Sequence, residues 1–143
     1  MKIILPIIMA VLLLTGCKKD KGPDRTALLT AGPWRLIGMT LFNKNTGETR
    51  DEYASSKACS RDNEFVFNTN YSHEFTEGAT KCNSTDPQVI YYAKWKFINN
   101  ETVIEVSAGS ERIEMKVLEL TVSELIIESE NANTIQKVSF IHR

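Results

Sequence analysis

Two histidines, three cysteines and scattered carboxylates carry whatever chemistry this 143-residue chain could perform. His73 stands beside Glu74, a pair able in principle to move a proton. His73 also alternates with Tyr71 and Phe75, as residues on one strand face do, so it reads as a satisfied or mouth-lining histidine rather than a base. His142 lies at the terminus and suggests no partner. Asp51 and Glu52 sit in a polar stretch with nothing to raise a carboxyl pKa. The GxSxG turn, HExxH, the P-loop and GxGxxG are all absent, so no enzyme activity and no cofactor are expected. Cys59 and Cys82 lack a CxxC spacing and a set of histidine partners, which makes a poor zinc site, and no metal is expected.

Cys17 is placed differently. Met1-Lys2 is followed by an apolar run from Ile3 to Leu14, then by small residues. One basic residue, about a dozen apolar residues and a small-residue end are the parts of a signal peptide, and the run falls short of the ~20 residues that a membrane-spanning helix needs. Leu14-Thr15-Gly16-Cys17 resembles the lipobox of bacterial lipoproteins. That resemblance implies a thioether-linked diacylglycerol on Cys17, cleavage after Gly16 and acylation of the freed amine. The expected divisions are a lipoprotein signal peptide over 1–16, a lipidated cysteine and flexible tether over 17–24, and a domain over 25–143. The implied location is the bacterial outer membrane, with the membrane itself a partner through the anchor. Lys18 to Asp24 is charged and broken by Gly22-Pro23, as a spacer would be. With Cys17 taken by lipid, Cys59 and Cys82 remain in an oxidising compartment, where a disulfide is the default. It would close a loop of 24 residues, worth about 3 kcal/mol on the loop-entropy model.

Loss of residues 1–16 leaves 127 residues, enough for one domain with a real core. Lys2 leaves with them, so 16 basic residues face 18 acidic ones and no basic footprint for nucleic acid remains. A short helix is expected from Asp24 to Ala31, stopped by Gly32-Pro33 and lying against one end of the domain. Period-two patterning then predicts strands at 34–42, 64–67, 71–75, 89–98, 102–108, 112–120, 124–129 and 134–142. Residues 49–62 and 76–87 read as long irregular loops, the first holding Cys59 and the second Cys82. Gly38 suggests a bulge or bend, and the phase change at Leu118 a second bulge. Three Asn-x-Ser/Thr triplets, at Asn70, Asn83 and Asn100, read as turn chemistry. Eight antiparallel strands joined in order predict an all-β up-and-down barrel with a short N-terminal helix.

The stretch from Leu29 to Trp34, Phe65-Val66-Phe67 before an aromatic strand, Glu77-Gly78-Ala79-Thr80-Lys81-Cys82, and Ala93-Lys94-Trp95-Lys96-Phe97 together resemble the lipocalin-like domain of lipoproteins from Bacteroidetes-type bacteria. The resemblance covers nearly all of residues 28–143. Gly32-Pro33-Trp34 stands where lipocalins often carry a glycine-x-tryptophan. The family implies a calyx-shaped barrel and, more loosely, a small apolar ligand.

Trp34 is expected to plug the closed end. Phe67, Tyr71, Phe75, Tyr91, Trp95, Phe97 and Phe140 are the candidates for lining a ligand cavity. Two functions follow from different classes. One is a lipid-anchored binder or carrier of a small apolar molecule. The other is an interaction module whose disulfide-tied loops meet an envelope protein or a glycan. The interior decides between them: a cavity of about 300 Å³ or more favours the carrier.

Overall fold

The computed structural model describes residues 22–143; the expected signal peptide, Cys17 and most of the expected tether lie outside the described residues. The domain opens on helix α1, Arg25–Leu29. Asp24 caps it, its Oδ1 accepting from the Ala27 amide at 3.1 Å. A helix this short is stable only when docked. Leu29 is its anchor, wholly buried, and the Trp34 indole donates to the Leu29 carbonyl at 2.8 Å. Arg25 donates to the Glu101 carbonyl and lies over the Phe97 ring, so α1 covers one end of the barrel.

Nine strands follow: β1 Trp34–Asn43, β2 Thr49–Asp51, β3 Glu64–Phe67, β4 Ser72–Thr76, β5 Val89–Ile98, β6 Val103–Ala108, β7 Glu111–Leu120, β8 Glu124–Glu130 and β9 Thr134–His142. All are antiparallel to their neighbours. β3 to β9 run in order, and β1 closes the ring against β9 from Trp34–His142 to Asn43–Thr134. Eight strands therefore form the closed antiparallel barrel that the alternation predicted, and β2 is an addition to it. The register shifts at Gly38 in β1 and between Val117 and Glu119 in β7, where bulges were expected.

The segment 49–62 is not the irregular loop that its polarity suggested. It holds β2, a one-turn helix α2 over Glu52–Ser55 and a 3₁₀ turn over Ala58–Ser60. Asp51 caps α2, accepting from the Ala54 amide at 2.8 Å. β2 pairs with the far half of β1, Thr40 to Phe42, whereas β3 meets only Trp34 and Arg35. Short polar side chains supply the turn chemistry expected of them. Asn70 accepts from the Ser72 amide at 3.0 Å and Asn83 from the Thr85 amide at 3.2 Å.

The two ends of the barrel differ. At the closed end Leu29, Trp34, Phe67, Trp95, Ile104 and Leu125 pack into a solid core. Trp34 meets the His142 ring edge-on at 5.0 Å. At the open end the chain is tied by the Cys59–Cys82 disulfide, its Cα atoms 5.0 Å apart. Asp62 ties it a second time. One carboxylate oxygen accepts from the amides of Ala79 and Thr80, both at 3.0 Å, and the other from the Thr80 hydroxyl at 2.7 Å. Gly78 makes this approach possible: its φ is +69°, and a Cβ there would lie 2.0 Å from the Asp62 carbonyl oxygen.

Candidate functional site

Above the solid core the barrel holds a cavity of about 340 Å³, open toward the α2 end. Phe65 is the hub of its aromatic wall. Its ring lies 4.8 Å from Phe140 and meets Phe75 edge-on at 5.3 Å and His73 edge-on at 5.0 Å. Leu36, Val106, Met115 and Val138 complete the apolar wall, with Tyr91 opposite Phe75 across the β4–β5 pair. Met39 and Ile113 stand nearer the mouth. Each comes from a strand position that the two-residue period turns inward.

Of the seven cavity candidates, the structure brings Phe75, Tyr91 and Phe140 into the lining. Four do not reach it. Phe67 and Trp95 are buried in the solid core below, with ring centroids 5.7 Å apart. The Trp95 indole is committed there, donating to the Asn68 carbonyl at 3.0 Å. Tyr71 has a φ of +64°, which takes it out of β4 into the turn, and it is 57% exposed. It lies 5.5 Å from Trp95, ring to ring, and with Phe97 it lines a more open, polar depression at the closed end. Period-two patterning gives the face of a strand but not the height along it, and that height separates floor from cavity.

The polar part of the lining is Ser56, Ser60, Asn63, His73 and Gln136. Of these only His73 was weighed from the sequence. Gln136 had a signal, since it alternates with Val138 and Phe140 on β9. Ser56, Ser60 and Asn63 had none, because they reach the mouth through the β2–α2 excursion. His73 is buried, and its Nδ1 lies 3.1 Å from the Val66 carbonyl oxygen. A carbonyl only accepts, so Nδ1 carries the proton and Nε2 presents a lone pair. The ring stacks on Phe67 at 4.5 Å. Burial lowers its pKa from 6.5 to about 4, partly opposed by the bond to Val66, so the imidazole is neutral at pH 7. Ser56 donates to the Tyr53 carbonyl at 2.7 Å and Ser60 to the Lys57 carbonyl at 3.0 Å. Gln136 donates to the Met39 sulfur at 3.1 Å. Asn63 Oδ1 is buried and has no hydrogen-bond partner. Among the described residues no cluster of three or more His, Cys, Asp or Glu could hold a metal.

An apolar chamber with a few convergent polar atoms can bind and orient a small molecule. A family model described as a lipocalin-like domain matches residues 30–127. No curated protein matches the chain. Solved structures with a similar course include a complex of bovine odorant binding protein with a selenium-containing odorant, at 13% identity and a TM-score of 0.49, covering 88% of this chain and 77% of that one. A deswapped triple mutant of bovine odorant binding protein is similar at 16% identity and a TM-score of 0.47, covering 78% and 72%.

Proposed function

This chain belongs to the lipocalin-like domain family, and on that premise we propose that it is a lipid-anchored envelope lipoprotein whose barrel binds or carries a small apolar ligand. The observation that carries the binding half is the cavity of about 340 Å³ walled by Leu36, Phe65, Phe75, Val138 and Phe140. It exceeds the volume set above for a carrier and lies at the small end of the range for ligand pockets, ~300–1,000 Å³. Lipocalin folds are typically non-enzymatic, and the role proposed is to sequester or deliver rather than to transform. The anchored half is supported by the apolar run 3–14 and by Leu14-Thr15-Gly16-Cys17 before a charged spacer. The diacylglycerol and the amide-linked acyl chain on Cys17 would hold the domain at the outer membrane, since each buried methylene contributes about 0.8 kcal/mol and two chains already suffice.

The test of binding is native mass spectrometry of protein purified gently from its own envelope, with organic extraction of whatever it carries. A stoichiometric small molecule is the expected result, and the Phe75→Arg variant should come out empty. A bare protein mass in the parent, together with no uptake of fluorescent apolar probes, would turn attention to the tied loops as a protein or glycan interface. For the anchor, Cys17→Ser should abolish metabolic labelling with palmitate and release the domain from the membrane fraction. Labelling that survived the substitution would remove Cys17 from the account.

A further inference from the structure

Resting on the reading of the cavity as a ligand site, we infer that its occupant is an uncharged apolar molecule that donates a hydrogen bond, such as a medium-chain alcohol or a phenol, and that carboxylate-headed lipids are excluded. Three polar side chains of the lining, His73, Ser56 and Ser60, present only lone pairs to it. His73 spends its N–H on the Val66 carbonyl, leaving Nε2 as an acceptor. Ser56 and Ser60 spend their hydroxyl hydrogens on carbonyls of their own loop, leaving oxygen lone pairs. Gln136 gives one amide N–H to the Met39 sulfur and keeps both a second N–H and its carbonyl oxygen, so it favours neither kind of ligand. The Asn63 amide holds an acceptor and two donors, its Oδ1 buried and without a partner, and it too favours neither kind of ligand. The Tyr91 hydroxyl can give or take and adds no preference.

Charge points the same way. Among the described residues no lysine, arginine, aspartate or glutamate lines the cavity. A fatty-acid carboxylate would therefore be desolvated with no cation to meet it. An alkylammonium would find acceptors but no counter-charge. An alcohol loses little on leaving water and finds a lone pair to receive its hydrogen.

The test uses the chain from residue 17 onward with Cys17→Ser, which keeps the whole closed barrel and removes the expected lipidation. Binding is measured by isothermal titration calorimetry at pH 7.5 with four probes of matched length: 1-decanol, 1-methoxydecane, decanoate and decylammonium. Decanol should bind about tenfold tighter than the ether, which has the same chain and no donor. Decanoate and decylammonium should each bind at least ~100-fold more weakly than decanol. His73→Phe and Ser56→Ala, made separately, should each shrink the preference for decanol over the ether. Either variant suffices if the other fails to fold. Ether or decanoate binding as tight as that of decanol overturns the donor rule and leaves the cavity as a ligand site. No binding by any probe overturns both.

Discussion

Acidification should weaken this fold through one residue, His73. Its ring is wedged between Phe65 and Phe67, 3% exposed, with no charged side chain in the adjoining cavity. Protonation there must place a cation in an apolar chamber, and this is why its pKa falls to about 4 from 6.5. In the unfolded chain the imidazole takes its proton near pH 6.5; in the folded one it waits until about 4. Between those values the unfolded state holds more protons, so stability rises with pH across the window and is lost as pH falls through it. At 1.36 kcal/mol per pH unit the window corresponds to about 3 kcal/mol, present in full above pH 6.5 and gone below pH 4. The assay is urea unfolding of the parent and of His73→Phe at pH 7.5, 6, 5 and 4. Carboxylates contribute equally to both proteins, so the difference between them isolates the imidazole. That difference should swing by about 3 kcal/mol in favour of the variant as the pH drops. A difference independent of pH, or a His73 titration near 6.5 by NMR, would refute the reasoning.

Three further outcomes follow from the architecture. Gly78→Ala should lower stability by about 2 kcal/mol or more, read from urea midpoints, because it adds a Cβ at positive φ against the Asp62 carbonyl. Cys59→Ser with Cys82→Ser should cost about 3 kcal/mol, from a loop spanning a sequence separation of 23, and should lower the thermal midpoint without loss of β circular dichroism. Trp34→Phe should cost about 1–3 kcal/mol in chemical unfolding, because it leaves the Leu29 carbonyl without the indole donor.

The strands were legible because alternation is a direct imprint of a sheet with one face on a core. Met115 and Val117, Val138 and Phe140, Trp95 and Phe97 each announce their side of the wall. The bulges at Gly38 and Leu118 were legible as well, one from a residue without a side chain and one from a slip of phase. The floor and the cavity looked alike, because Phe67 and Phe75 have the same kind of neighbours in sequence and differ only in height along the barrel. Tyr71 was misplaced because strand and turn run together in Asn70-Tyr71-Ser72, and a left-handed tyrosine leaves no compositional trace. The polar rim was illegible for a further reason. Ser56, Ser60 and Asn63 reach the site by way of β2 and α2, and polar, period-free sequence there looks the same whether it folds over a cavity mouth or trails in solvent.

The sharing of one edge of β1 between two partners constrains how the protein can be made. β3 holds only Trp34 and Arg35, β2 holds Thr40 to Phe42, and the opposite edge is taken along its length by β9. A chain synthesised from its N-terminus therefore presents its first long strand early and its longest partner last. Until residues 134–142 have emerged, β1 can zip only onto the three residues of β2 and the start of β3, and its other edge stays open along its whole length. A half-made chain thus carries a ten-residue strand with one edge unpaired, the kind of edge on which foreign strands add. Completion of the C-terminal strand is the event that removes this hazard.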